Sequence, residues 1–312
     1  MTLVKRGRHL NENSNVFEHN AWDDYEMDVE AMQQAKLKLT QQAENALSQQ
    51  PDGLESKRCQ IESQSEDQWN KFYDTHTDKF FKDRKWLFSE FSELIPHLEA
   101  NSGPCHILEL GCGVGNTTSV ILDANKNPEL MIYSCDISQK AIEILGASIE
   151  GQRTSARGAV IPFHKDLTHE WSDQDPPRPN NIDFIMMIFT FSAVNPDLME
   201  SSLCQITNRY LRAGGMVLFR DYARYDMTQL RFKPHSYLGN DYYCRGDGTT
   251  TFFFTEDRLH QLFSSCDSLK RVQLYTDRRL LCNRAKALKM CRCWIQAKYI
   301  KQTVNDCPEQ PC

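Results

Sequence analysis

Apolar residues recur along this chain with more than one period, and the change of period divides it. Over residues 28–48, Val29, Met32, Leu37, Leu39 and Leu47 stand among Gln, Glu, Ala and Lys. Good helix formers with spaced apolar residues predict a surface helix, and Pro51-Asp-Gly53 predicts its stop. Trp69, Phe72 and Tyr73, at spacings of three and four, predict one face of another helix. From His106 the pattern becomes short apolar runs separated by helical stretches. The runs at 106–110, 130–135, 160–164, 182–189 and 216–219 predict strands, with helices at 117–124, 138–145 and 196–211 between them and Gly214-Gly215 as a helix stop. The 182–189 run is nearly continuous, as expected of a strand buried on both faces. Strand–helix alternation predicts an α/β fold with a doubly wound, mostly parallel sheet that places ligands at the carboxyl ends of its strands. After a helix closed by 259–263, residues 272–275 and 293–299 predict a terminal antiparallel pair, with Asp277-Arg-Arg279, Asn283-Arg284 and Lys286 on the connection.

The first strand runs into Glu109-Leu-Gly111-Cys-Gly113-Val-Gly115-Asn116. Glycine lacks a Cβ, so the backbone can turn tightly and approach a ligand closely. A dinucleotide fingerprint needs Gly-x-Gly-x-x-Gly, but Asn116 and Thr118 occupy the places where its third glycine would fall. A phosphate-binding P-loop needs Gly-Lys-Ser/Thr, and that triplet is missing here. Glu-x-Gly-x-Gly-x-Gly resembles motif I of class I S-adenosylmethionine-dependent methyltransferases. Asp136 closes the second strand, where a carboxylate can accept hydrogen bonds from ribose hydroxyls. Ser138 follows as a helix N-cap. Asp166-Leu167 closes the third strand, where a carboxylate and the neighbouring backbone can meet an adenine edge. Ile188 and Asp221 end the fourth and fifth.

Composition narrows the classes. With 312 residues, 40% hydrophobic and 25% charged, the chain has the make-up of a soluble globular protein. It holds no apolar run of about 18 residues, so no membrane partner is expected. The N-terminus has basic residues but lacks a signal peptide's apolar core. A cytoplasmic protein is expected, with mitochondrial or nuclear placement as the alternatives. Twelve cysteines are present without a Cys-x-x-Cys. Reduced structural cysteines and no metal site are the expectation. The net charge of −6 is uneven: residues 220–300 carry 15 Lys/Arg against 8 Asp/Glu. Such an excess suits a polyanion partner or a solvated face.

In this basic third, Arg, Lys, Tyr and Phe interleave, a composition suited to a phosphate backbone with splayed bases. Lys79-Phe-Phe-Lys-Asp-Arg-Lys-Trp86, Leu108-Glu-Leu-Gly-Cys-Gly-Val-Gly-Asn116, Leu218-Phe-Arg-Asp-Tyr222, Gln229-Leu-Arg-Phe-Lys233 and Arg245-Gly-Asp-Gly-Thr249 together resemble the eukaryotic tRNA 3-methylcytidine methyltransferases of the methyltransferase-like family. The likeness runs over residues 16–301. Val16-Phe-Glu-His-Asn-Ala-Trp22 and Asp277-Arg-Arg279 look closest to the branch acting on threonine and arginine tRNAs. The chain departs from the family at Lys85, Ala223 and Thr250.

The resemblance implies a class I (Rossmann-like) methyltransferase with a seven-stranded sheet and terminal antiparallel hairpin. A helical, partly flexible extension over 1–66 would precede a catalytic domain over 67–312, with RNA-binding elements at 69–86, 222–252 and 277–301. It implies S-adenosyl-L-methionine as cofactor, held by Trp69, Tyr73, Gly111, Gly113, Asp136, Asp166, Leu167 and Ile188. The RNA-binding candidates are Lys82, Arg84, Arg220, Arg231, Lys233, Arg245, Arg278, Arg279 and Arg284. The partners implied are tRNA and a tRNA-selecting accessory protein or aminoacyl-tRNA synthetase. Ring N3 of cytosine carries a lone pair at neutral pH, so methyl transfer needs an unpaired base and orientation rather than a strong base. A carboxylate would stabilise the cationic product ring. Asp221 is the catalytic candidate, with pairing to Arg220 or Arg224 as its structural alternative. The rival readings are a protein or small-molecule methyltransferase of the same fold and a non-catalytic cofactor-binding module.

Overall fold

The structure, a computed structural model, describes residues 7–11, 14–49, 53–78, 80–152 and 158–303. Pro51, Asp52, Lys79, Cys307 and Cys312 lie outside the described residues. In chain order come β1 (Ala21–Trp22), α1 (Val29–Gln49), α2 (Leu54–Glu62), α3 (Ser65–His76) and α4 (Leu87–Glu90). The alternating region follows as β2 (Cys105–Leu110), α5 (Thr118–Ala124), β3 (Leu130–Asp136), α6 (Gln139–Gln152), β4 (Ala159–His164), β5 (Ile182–Ile188) and α7 (Met199–Tyr210). The remainder is β6 (Leu211–Tyr222), α8 (Met227–Arg231), β7 (Tyr237–Gly239), β8 (Tyr242–Cys244), β9 (Thr250–Phe252), α9 (Glu256–Ser264), β10 (Leu269–Asn283) and β11 (Leu288–Lys301).

The main sheet has the order β1-β10-β11-β6-β5-β2-β3-β4. Strands β4, β3, β2, β5 and β6 are mutually parallel, whereas β11, β10 and β1 pair antiparallel. This is the expected seven-stranded doubly wound sheet, extended by the two-residue β1. Every residue of β5 is buried, as its unbroken apolar run requires. The chain leaves β2 toward β3 and later returns to pair β5 on the other side of β2. The carboxyl end of β2 is therefore the topological switch point, where open α/β sheets bind ligands.

Four expectations change. Gly214 and Gly215 lie inside β6 rather than at a helix stop. Register passes from Ile182↔Leu211 to Phe184↔Met216, so β6 bulges there, and Gly214 takes φ +76°. The terminal hairpin is longer than its apolar runs suggest, and residues 284–287 connect it, so Asp277, Arg278 and Arg279 sit within β10. Tyr275, Asp277 and Arg279 alternate onto one face that meets Glu90, a charged face that apolar alternation cannot reveal. The N-terminal segment is built into the body. Ala21 and Trp22 pair with Leu281 and Leu280, and α1 buries Ala35, Leu39, Gln42 and Ala46, not its larger Val29, Leu37 and Leu47. Lastly, Cys204 and Cys266 form a disulfide across a separation of 62 residues, against the expectation of reduced cysteines. Such a spacing leaves no local signal.

Candidate functional site

At the switch point the chain leaves β2 through Gly111 (φ +62°) and Gly113 (φ +54°), conformations natural to glycine. A Cβ at Gly111 would collide with the Thr190 side chain, and one at Gly113 with the Tyr73 hydroxyl. The turn is thus pressed between the segment after β5 and helix α3.

The carboxylate of Asp136 closes the next strand. It accepts hydrogen bonds from Gly113 N–H and Ser138 N–H, both at 2.8 Å. Burial raises its pKa, and these two N–H groups pull it back down. Ser138 caps α6 as expected, its Oγ accepting from Ala141 N–H at 3.1 Å. The same hydroxyl donates to Asn70 Oδ1 at 2.8 Å, and Lys140 N–H donates to that oxygen at 3.1 Å. Helix α3 is fastened over the site by these bonds, which places Trp69 and Tyr73 above it. At the end of β4, Asp166 accepts from the Thr168 N–H (2.8 Å) and hydroxyl (2.7 Å).

Trp69, Tyr73, Gly111, Gly113, Asp136, Asp166, Leu167 and Ile188 all line one cavity of about 630 Å³. That volume lies within the roughly 300–1,000 Å³ typical of small-molecule sites. A glycine cradle, two carboxylates at successive strand ends and an aromatic cover match what a nucleoside with a charged tail requires. The residues present fit S-adenosylmethionine.

Glu109 belongs to the same wall, a role beyond its place in the glycine motif. It is fully buried and hydrogen-bonded by the Thr118 hydroxyl, and burial lifts its pKa to about 7. Thr190 and Phe189 are further wall residues that pattern reading passed over, and Tyr222 of the Leu218–Tyr222 motif stands beside them. Phe189 sits at φ +57°, a strained conformation for a bulky side chain, of the kind that marks functional sites. Its ring lies 5.1 Å from that of Tyr222 and under the Arg84 guanidinium at 5.3 Å.

The basic candidates divide. Lys82, Arg231, Lys233 and Arg284 are exposed. Arg84 lines the cavity, and burial lowers its pKa. Arg245 also lines it, but its guanidinium donates to Thr250 O at 3.0 Å and so holds its own turn. Arg220 is only 3% exposed and ion-paired to Asp277 at 2.5 Å, so it does not belong to the exposed surface. Arg279 pairs with Asp277 at 3.2 Å and Glu90 at 3.5 Å, while Arg278 is half-buried within β10. Part of the basic excess is therefore internal pairing, which burial demands of a guanidinium.

Asp221 also departs from expectation. It is fully buried, lies behind the cavity wall, and accepts from Ser192 N–H (2.9 Å) and Tyr222 N–H (2.8 Å). Arg224 pairs with Asp241 at 3.2 Å instead. Two backbone donors hold the carboxylate, and it does not line the cavity. Ser192 and Tyr222 are the wall residues it holds.

A methyltransferase-domain family model matches residues 108–217. A tRNA N(3)-cytidine methyltransferase of Danio rerio is 39% identical, covering 94% of this chain and 88% of that one. A tRNA N(3)-methylcytidine methyltransferase of Drosophila melanogaster is 43% identical, covering 94% and 87%. The tRNA(Thr) (cytosine(32)-N(3))-methyltransferase of Saccharomyces cerevisiae is 37% identical, with 94% of this chain matching 45% of a longer protein. Among solved structures, a SAM-dependent methyltransferase from Anabaena variabilis superposes with a TM-score of 0.51 at 11% identity, covering 76% of this chain and 94% of that chain. That likeness bears on the fold alone.

Proposed function

Because the chain belongs to the family of tRNA N(3)-cytidine methyltransferases, we propose that its cavity methylates an unpaired cytidine in the anticodon loop of threonine and arginine tRNAs. One observation carries the reading. The cofactor residues and the wall of Arg84, Phe189 and Tyr222 belong to one continuous cavity.

When bound, S-adenosylmethionine supplies an electrophilic methyl group. The residues of this chain do the rest by placement. Asp136, Asp166 and the glycine turn bind and orient, and helix α3 excludes water through Trp69 and Tyr73. A base entering beside Phe189 and Tyr222 meets two aromatic faces on which it can stack, with N3 directed inward. Base pairing would occupy that nitrogen, so an unpaired loop cytidine is the substrate the geometry suits. Asp221 acts through Ser192 and Tyr222 as a positioning residue.

The exposed Arg231, Lys233 and Arg284 suit phosphate contacts, which position an RNA without reading its sequence. Selection among tRNAs then falls to the loop nucleotides and to a partner, an accessory protein or an aminoacyl-tRNA synthetase. The cytoplasm is the compartment we assign. The test is nucleoside mass spectrometry on purified isoacceptors from cells lacking the protein. Loss of 3-methylcytidine from threonine and arginine tRNAs alone is expected, and its persistence in both would refute the substrate assignment.

A further inference from the structure

The wall of Phe81, Arg84, Phe189 and Tyr222 has two sides. Behind it lies a second cavity of about 240 Å³, closed by Trp86, Trp294 and the side chains of Arg220, Arg279 and Arg292. The indole of Trp294 is its platform. Arg220 stands 5.2 Å, Arg292 5.3 Å and Arg279 5.6 Å from that ring, and Arg220 is 5.0 Å from Trp86. These guanidiniums are held from behind, Arg220 and Arg279 by Asp277 and Arg292 by Asp226 at 2.8 Å. The box is therefore preorganised, which lowers the cost of binding. Arg279 and Arg292 keep 22% and 24% of their side chains exposed and form its mouth.

Arg84 differs from the others. Its Nε is buried with no hydrogen-bond partner, and no carboxylate pairs with it among the described residues. It lies between the two cavities, stacked on Phe81 at 5.8 Å and Phe189 at 5.3 Å. Phe189, at φ +57°, is part of this partition.

We propose that the smaller cavity is a subsite for one nucleotide of the RNA chain adjacent to the reacting cytidine. Its base stacks in the aromatic box, and its phosphate meets the guanidiniums of Arg84, Arg279 and Arg292. Planar rings alternating with guanidiniums match a nucleotide's flat base and anionic phosphate, and suit neither a cationic peptide nor a small apolar group. The shared wall fixes the occupant as a neighbour of the target in the chain. The volume, about 240 Å³ against about 630 Å³, limits it to one residue. The proposal rests on the tRNA reading above.

The test uses anticodon stem-loop RNAs with an abasic residue placed on either side of the target cytidine. Dissociation constants are measured for the wild-type protein, Trp294→Leu and Trp294→Phe. One of the two abasic RNAs should bind wild type about tenfold or more weakly, the scale of one lost base–aromatic stack. Trp294→Leu should weaken the intact RNA similarly and show no further loss with that abasic RNA, while Trp294→Phe recovers most of the affinity. Unchanged cofactor affinity shows that the variants are folded, and Trp86→Leu replaces Trp294→Leu if that protein does not fold. Equal wild-type affinity for all the RNAs, or fully additive losses, would overturn the subsite. Methyl transfer to the intact stem-loop by wild type separates the readings: with transfer present, additive losses sink only the subsite. Without it, the tRNA reading falls as well.

Discussion

The Ser192 N–H donates to the carboxylate of Asp221 at 2.9 Å, fastening the end of β6 to the turn that follows β5. Since Ser192 and Tyr222 line the cavity and Asp221 does not, a fully buried carboxylate sets the shape of a wall it never joins. Burial raises its pKa to about 6, partly offset by the N–H donors. A folded-state pKa above the unfolded value means that the folded protein binds the proton more tightly. Wild-type stability should therefore fall as pH rises from about 4 to about 6, by up to about 3 kcal/mol, and then level off. Asp221→Asn should lack this component, so wild-type stability relative to the variant should fall by that amount across that window in denaturant titrations. A pH-independent difference would mean that the carboxylate is not held as described.

Gly111→Ala and Gly113→Ala should each lose cofactor binding while keeping the fold. Each puts a Cβ into a left-handed turn, a strain of roughly 1–2 kcal/mol. Each Cβ also collides with the Thr190 side chain or the Tyr73 hydroxyl, so the cradle has to shift. Calorimetry should show affinity for S-adenosylmethionine weakened by tenfold or more, at about the loss expected from 1.4 kcal/mol per decade. Wild-type affinity in both variants would separate the glycine turn from the cofactor.

Glu109 gives the cavity a titration near neutrality. Its pKa of about 7 is raised by burial and opposed by the hydrogen bond from Thr118. The carboxylate is neutral below that pH and anionic above it, and an anion favours a cationic sulfonium ligand. Affinity for S-adenosylmethionine should rise with pH through about 7, and Glu109→Gln should flatten that rise. A matching profile in the variant would assign the titration to another group.

Arg231 and Arg279 should behave differently although both are arginines of the basic third. Arg231→Ala with Lys233→Ala should leave the melting temperature unchanged and reduce the slope of log affinity for tRNA against log salt by about 0.7–0.9 per lost phosphate contact. Arg279→Ala should lower the melting temperature, because Asp277 and Glu90 lose a buried partner. An unshifted melting temperature for Arg279→Ala would show that its pairing is dispensable.

The cofactor half of the site was legible because its chemistry is local. A glycine turn after an apolar run, and an acid after each of the next two strands, stand at successive strand ends that the parallel sheet brings side by side. Gly111, Gly113, Asp136 and Asp166, read this way, line one cavity, and so do Trp69, Tyr73, Leu167 and Ile188, which the family resemblance implied. The basic half was less legible because a cation's fate depends on distant partners. Arg220 and Arg279 share Asp277, and Glu90 reaches Arg279 across 189 residues. Nothing beside Arg279 in sequence announces Glu90. Asp221 was placed correctly at a strand end, but the direction of its side chain is set by the N–H of Ser192, 29 residues away. The box around Trp294 combines residues from five separate segments, so it exists only in the fold.

The most direct measurement follows the methyl group itself. Purified protein is incubated with S-adenosylmethionine carrying an isotopically labelled methyl and with tRNA from cells that lack the enzyme, and the tRNA is digested to nucleosides for mass spectrometry. The label should appear in 3-methylcytidine, and Gly111→Ala should abolish it. Label in another nucleoside, or none in tRNA under conditions where the cofactor binds, would contradict the assignment of this cavity to cytidine N3 methylation.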